Sequence, residues 1–493
     1  MFAFKKISSF SSLSLFPSLT ITRGSLIPNT LFSKRQAEFL NSDSQFTQSL
    51  STLLLQKHIG LVAHFYMDAE IQGVISKLPS TQRLISDSLL MGQGAVDQAK
   101  KGVKHIIVLG VDFMSENVRA LLDKNGFPDV SVYRLANRKI GCSLAESAEK
   151  LAYKAYLLKG MQVNPESLHV IYINTSLQIK GKSNQIMPTI TCTSSNVVRT
   201  VLQAFSQNNK LDIWFGPDTY MGENLSKLFN QMSRLSDQEL QKILPDYNQE
   251  KLQKLLTKFH YFNDGICVVH HFFDNKLVSN LRKHFYDDTF ITAHLEVPGD
   301  MFSLAYEKQL KNQGVVGSTS DILNFILKKT EDFSLKTHKK IKIVLGTESG
   351  MISMIVTEVQ KILTKFNSML EVEIIFPVSD EAISQNNKGD LMPGLNQNEG
   401  CSIHGGCATC PFMKMNNLES LMDVCEMIND KLSEGKLGKF IIRNRAESEE
   451  DKRILEQGVE PIVEMQFFQK NGKLSEKFLE HIKSNSKNYN KKI

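Results

Sequence analysis

The chain has 493 residues, 41% hydrophobic and 22% charged, which suits a globular protein of two to four domains rather than a disordered or fibrous one. No apolar run approaches a membrane span, and 7 cysteines, an odd number in so long a chain, disfavour a secreted disulfide framework. The formal charge of +6 sits at the two ends: Lys5, Lys6, Arg23, Lys34 and Arg35 precede the first acid, and Lys483, Lys487, Lys491 and Lys492 follow the last. The body between them is slightly acidic, so neither nucleic acid nor membrane is an expected partner.

Residues 1–40 come first in chain order. They are Ser-rich and have no acid before Glu38, a composition that suits an organellar presequence; a disordered terminus is the plainer alternative. The expected destination is the mitochondrion, ahead of plastid or cytoplasm.

From residue 50 onward three kinds of segment recur in fixed order. The first is an apolar strand ending in polar groups: "IGLVAHFYMD", "LHVIYINTS" and "TFITAHLEVP". The second is a Ser/Thr cluster opening a helix: "ISDSLLMGQGAV", "TCTSSNVVRTVL" and "VGSTSDILNFI". The third is a strand running into Gly-x-acid: "HIIVLGVDFM", "LDIWFGPDTYM" and "IKIVLGTESGM". Ser88, Ser194 and Ser318 follow His64, Asn174 and His294 by 24, 20 and 24 residues. Gly110, Gly216 and Gly346 then follow those serines by 22, 22 and 28.

Matches in both order and spacing predict three related α/β units, over 50–142, 143–267 and 268–440, each a small parallel sheet covered by helices. The polar residues of every segment fall at the carboxyl ends of strands, where such sheets bind ligands. The hydroxyls stand at helix starts, where they cap amides or join them in holding an anion. Asp112, Asp218 and Glu348, the acids after the glycines, read as helix caps. Residues 223–260 and 365–400 read as peripheral additions, and 441–493 as an extension ending in a disordered basic tail.

One cysteine follows each glycine strand: Cys142, Cys267 and Cys410. That is the pattern of a cofactor on a pseudo-threefold axis. "SLAE" after Cys142 reads as a capping box, and Pro411 places Cys410 in the first turn of a helix continuing through Leu418, Leu421, Met422, Cys425 and Ile428. A thiol at a helix start favours the thiolate that metal ligation requires. Three inert buried thiols are one alternative. A compact metal or redox site in "CSIHGGCATCP", using Cys401, His404, Cys407 and Cys410, is another; it would belong to a non-catalytic iron–sulfur or redox-sensing protein. Three cysteines on a [4Fe–4S] cluster would leave one iron open to substrate. Cys192, outside the cysteine repeat, reads as a non-ligand, and Cys425, Met413 and Met415 read as core residues.

The set "VAHFYMDAEIQGV", "RKIGCSLAE", "YINTSLQIKGKS", "TITCTSSNVV", "WFGPDTYMGENL", "CVVHHFF", "AHLEVPGDMFSLA", "GVVGSTSDIL", "LGTESGM" and "GGCATCPFMKMNNLESL" resembles the quinolinate synthase family, in its long plant and cyanobacterial form. The resemblance implies three homologous α/β/α three-layer units around one [4Fe–4S] cluster. It implies condensation of iminoaspartate with dihydroxyacetone phosphate to quinolinate, an enzymatic step of NAD biosynthesis. It assigns the cluster ligands to Cys142, Cys267 and Cys410, leaving Cys407 as a non-ligand. Substrate contacts fall on His64, Tyr66, Ser88, Tyr172, Asn174, Ser194, His270, His294, Glu296, Ser318 and Thr319. Catalytic roles fall on His64, Tyr66, His294 and Glu296, with Glu296 as general base. It also implies two kinds of partner: an L-aspartate oxidase or dehydrogenase supplying iminoaspartate, and separate iron–sulfur assembly proteins. The chain departs from the bacterial "H-x-Y-Q" and "G-D-S-L" at Met67 and Ser86.

Overall fold

The computed structural model describes residues 15–40, 44–336, 339–377, 409–442 and 448–490. Its strands, in chain order, are β1 Ser18–Ile21, β2 Leu26–Pro28, β3 Ile59–His64, β4 Arg83–Ser86, β5 His105–Leu109, β6 Ser131–Tyr133 and β7 Ser167–Tyr172. They continue with β8 Thr189–Cys192, β9 Asp212–Gly216, β10 Phe259–Tyr261, β11 Phe290–His294, β12 Gly314–Gly317, β13 Lys340–Val344 and β14 Glu371–Ile375.

Three sheets result, and they share one topology. The first runs β4-β3-β5-β6, the second β8-β7-β9-β10 and the third β12-β11-β13-β14. Within each, every pair is parallel, and the first strand of the unit lies between the second and the third. The expected repeat is therefore present as strand order. β3 and β7 are buried along their whole lengths, as strands covered by helices on both faces must be. One cluster of buried side chains runs through all three units, and a second lies under the third sheet.

Four expectations about the flanking segments need correction. Residues 15–40 are folded: β1 adds antiparallel to β14, with Leu19 and Ile21 wholly buried, and β2 adds to β1. Alternation in a four-residue strand is too short a signal to separate "SLTI" from a Ser-rich tail. Residues 371–375 are likewise no peripheral addition, because β14 lies inside that sheet.

The C-terminal tail is helical as far as Asn490. The helix before it, Glu449–Asn471, starts at Ser448, whose side chain accepts the Asp451 N–H, and stops at left-handed Gly472. It crosses the helix Leu177–Ile186 at a glycine pair. A Cβ on Gly181 would lie 2.0 Å from the Ile454 carbonyl oxygen, and one on Gly458 2.1 Å from that of Leu177. Only bare backbone allows that approach.

Finally, Cys410 does not enter the helix expected after it. A 3-10 turn, Met413–Met415, intervenes, and the helix Leu418–Met427 starts afresh at an Asn417 cap.

Candidate active site

The carboxyl ends of β3, β7 and β11 meet at one cavity, lined by side chains from all three units. His64 ends β3 and His294 ends β11, and both make the same turn. The His64 Nδ1 accepts the Tyr66 N–H at 3.1 Å; the His294 Nδ1 accepts the Glu296 N–H at 3.3 Å. Burial pulls these imidazoles down, to about 4 and about 3, against the pull of Glu296. Both rings are therefore neutral near pH 7. With Nδ1 accepting, Nε2 carries the proton.

Polar contacts cross between units. The Tyr66 hydroxyl lies 2.6 Å from the Thr319 Oγ1 and 3.1 Å from the Thr347 Oγ1. Tyr172 donates its hydroxyl to the Glu296 Oε1 at 2.5 Å. The Glu296 Oε2 lies 3.2 Å from the His270 Nδ1. Burial alone would raise the Glu296 pKa, but His270, His294 and Tyr172 outweigh it and hold the carboxyl below its ordinary range. The site thus contains one carboxylate kept ionised at depth.

The three helix starts are not equivalent. Asp87, not Ser88, caps the helix Ser88–Lys100, accepting the N–H groups of Leu89 and Leu90. Ser318 caps the helix Thr319–Ser334 in a capping box with Asp321. The helix Val197–Gln207 has no side-chain cap: its Asn196 Oδ1 turns back to the Thr193 N–H, and the buried Asn196 Nδ2 has no partner. Of the three Ser/Thr clusters, the Ser194 one thus opens a helix without a side-chain cap, its Asn196 and Val197 N–H groups donating instead to the Thr193 carbonyl.

Each unit sends one cysteine to the cavity, and Cys142, Cys267 and Cys410 are all unpaired. Burial pushes the Cys142 thiol up to about 12, and burial with nearby carboxylates pushes Cys267 and Cys410 well up. Backbone N–H groups oppose this at every sulfur: Leu144 and Ala145 at Cys142, His270 at Cys267, and Phe412 and Met413 at Cys410. The thiols are neutral without a cation, and the amides are already set to stabilise thiolates once one is bound. Ser143 is not the cap that "SLAE" suggests. Its hydroxyl donates to the Ile266 carbonyl at 2.9 Å and accepts the Val268 N–H at 3.3 Å, so it brackets Cys267.

All the expected site residues line this cavity except His270, which stands behind Cys267 with Nδ1 3.3 Å from its Sγ. Cys267, His270 and Glu296 also form a group whose donor atoms lie within 4.8 Å of one another and could hold a metal. Met67 and Ser86, the departures from the bacterial pattern, do not line it. Cys401, His404 and Cys407 lie outside the described residues. Cys425 is buried in the core as expected, Cys192 is buried too and does not line the cavity, and Met413 both packs and lines it.

Sequence reasoning missed Asp87, Phe113, Met114 and Ser195 as lining residues, and took Glu348 for a cap. Of the three Gly-x-acid residues only Asp218 caps a helix, accepting the Met221 N–H at 2.8 Å. Asp112 pairs with Arg134 at 2.6 Å, and Glu348 makes no side-chain cap.

A family model described as Quinolinate synthetase A protein matches residues 48–444. The chain belongs to the quinolinate synthetase A family. As a member it is an enzyme of NAD biosynthesis. It is 47% identical to the chloroplastic quinolinate synthase of Nicotiana tabacum over 95% of this chain and 67% of that protein. Against the chloroplastic enzyme of Arabidopsis thaliana identity is 45%, over 97% of this chain and 68% of the relative. The quinolinate synthase of Ehrlichia chaffeensis is 24% identical over 76% of this chain and 87% of its own length. The chain thus spans about two thirds of the length of the plant relatives. Those plant family members, the one from Oryza sativa included, are all named chloroplastic. That overturns the expected mitochondrial destination and points to a plastid; Ser-rich, acid-poor composition is shared by both kinds of presequence.

Proposed function

We propose that the chain condenses iminoaspartate with dihydroxyacetone phosphate, with loss of phosphate and water, to give quinolinate, using a [4Fe–4S] cluster held by Cys142, Cys267 and Cys410. The observation that carries this is the single cavity receiving one cysteine from each unit beside His64, Tyr66, Tyr172, Asn174, His294 and Glu296. Three unpaired thiols with amides aimed at their sulfurs suit such a cluster. When bound it supplies Lewis-acid polarisation of a substrate oxygen at the iron that no cysteine holds.

The chain's own residues do the rest. Glu296, ionised and oriented by Tyr172 and His270, takes a proton from the substrate during tautomerisation or ring closure. His64 and His294, with Nε2 protonated, donate to substrate oxygens, and Tyr66 and Asn174 complete the polar wall. Ser194, before a helix start without a side-chain cap, binds phosphate or carboxylate, aided by Ser88, Ser318 and Thr319. Val111, Phe113, Met114 and Met413 give the cavity an apolar wall that limits water. Iminoaspartate comes from an L-aspartate oxidase or dehydrogenase, and separate assembly proteins load the cluster.

The test is an anaerobic assay for quinolinate from the two substrates, with Glu296→Gln as control. Wild-type protein carrying a full cluster should form product and the variant should not. Absence of product from the wild type would overturn the assignment.

A further inference from the structure

Tyr66, Asn174 and Glu296 each stand two residues beyond the last residue of β3, β7 and β11, and all three line the cavity. In every unit one buried side chain donates to the two carbonyls on either side of that residue. The Gln72 Nε2 donates to the Phe65 and Met67 carbonyls, both at 2.7 Å, and to the Gly350 carbonyl at 2.8 Å. The Lys180 ammonium donates to the carbonyls of Ile173 and Thr175. The Asn224 Nδ2 donates to the Leu295 carbonyl at 2.9 Å and the Val297 carbonyl at 2.7 Å.

The third clamp differs in origin. Gln72 and Lys180 stand six residues after the residue they frame, in the helix that follows the same strand. The matching place in the third unit is Phe302, which is buried and has no donor to offer. Asn224 supplies the bonds instead, from the helix Thr219–Met232 of the second unit. Within its own unit the Glu296 turn is held through N–H groups: His294 donates to the Gly346 carbonyl at 2.9 Å and Leu295 to the Gly317 carbonyl at 3.0 Å. Its carbonyls at 295 and 297 are reached from the neighbouring unit. Asn224 is wholly buried, and two carbonyls can be met only by its amide nitrogen, so its orientation is fixed. Its Oδ1 is buried without a partner among the described residues, a cost that packing alone does not explain.

We propose that Asn224 is the positioning residue for Glu296, holding the backbone on both sides of it so that the carboxylate stays aimed into the cavity. A reacting group keeps its geometry only where the residues around it are themselves locked by hydrogen bonds. The proposal deepens the reading of Glu296 as general base and rests on that reading for its purpose. Leucine is close to asparagine in shape and donates nothing.

The experiment compares wild type with Asn224→Leu as full-length protein, first by backbone hydrogen exchange read from peptides. Exchange over 294–297 should quicken about tenfold in the variant, the order set by losing the net worth of a hydrogen bond. The turns at 64–67 and 173–175, held by Gln72 and Lys180, serve as internal references and should keep wild-type rates. In the cluster-loaded enzyme, kcat for quinolinate should fall about tenfold while KM stays within twofold. Unchanged exchange over 294–297 would overturn the proposal, as would equal acceleration at all three turns. Local acceleration with an unchanged kcat would overturn it too. Should Asn224→Leu fail to fold, Asn224→Asp, which keeps the shape and offers at most one donor, takes its place with the same outcomes. A wild type that forms no quinolinate would overturn the proposed function and leave the exchange result standing.

Discussion

The Tyr172 hydroxyl and the Glu296 carboxylate, 2.5 Å apart, join the end of β7 in the second unit to the turn after β11 in the third. Neither residue completes the site inside its own unit. Replacing Tyr172 by Phe leaves Glu296 with His270 and removes one hydrogen bond to a charged group, worth about 1.5–3 kcal/mol. Quinolinate formation should fall about 10- to 100-fold in kcat with the fold intact by circular dichroism. A rate within twofold of wild type would show that the contact does not orient the carboxylate.

Lys180 is wholly buried, and its ammonium donates to the carbonyls of Ile173, at 3.0 Å, and Thr175, on either side of Asn174. Burial pulls its pKa down, and the Glu116 carboxylate, which also takes the Leu177 N–H at 2.9 Å, works against that. Lys180→Met strands two carbonyls and removes the cation whose charge favours the half-buried Glu116 carboxylate. A loss of about 2–4 kcal/mol of stability is expected from urea unfolding, together with a raised KM for substrate. A KM unchanged in the folded fraction would separate this pair from the site.

Gly181→Ala places a methyl group against the Ile454 carbonyl, which is backbone and cannot swing away. The expected cost is about 1–3 kcal/mol. Limited proteolysis should then cut first within 448–490, because the glycine pair is what lets the helix Glu449–Asn471 lie close. Unaltered protease resistance there would contradict this account.

Acid sensitivity has one traceable source in Asp212. Burial would raise its pKa, but hydrogen bonds from His260, Lys258 and Asn164 outweigh it and bring it down to about 2 from an ordinary 3.8. A depressed carboxyl contributes stability that is present in full above its unfolded value and is lost as pH falls towards the folded one. Between pH 4 and 2, roughly the interval those two pKa values mark, the unfolding midpoint of wild type should drop more steeply than that of Asp212→Asn. Parallel slopes would rule the group out as a contributor.

The repeat was readable from sequence because its markers are local: an apolar strand, the polar residue at its tip and the spacing to the next helix all lie within one stretch of chain. That sufficed for three parallel α/β units with their polar tips at one edge, and the family resemblance supplied the cysteine and catalytic positions; Asp87, Thr193, Ser195, Ser320 and the apolar wall of Val111, Phe113 and Met114 were not foreseen. What escaped was set by partners remote in sequence. Ser143 looks like a cap until Ile266 and Val268 arrive beside it. Asp87 and Ser88 both suit a helix start, and only geometry decides which oxygen meets the amides. β1 was lost for the same reason, its partner lying more than 350 residues away.

That last pairing sets a limit on how the chain is handled by the cell. Ser18 pairs with Ile375, and the Phe16 ring packs tilted against Phe285 with ring centroids 5.5 Å apart. β1 can pair with β2 at once, but it meets β14 only after nearly all of the third unit has been synthesised or threaded through a membrane pore. Any protease that trims the amino end has to stop short of Phe16. A cut a few residues further in would strip two strands from the third sheet and bare the edge of β14, turning a processed enzyme into a template for aggregation.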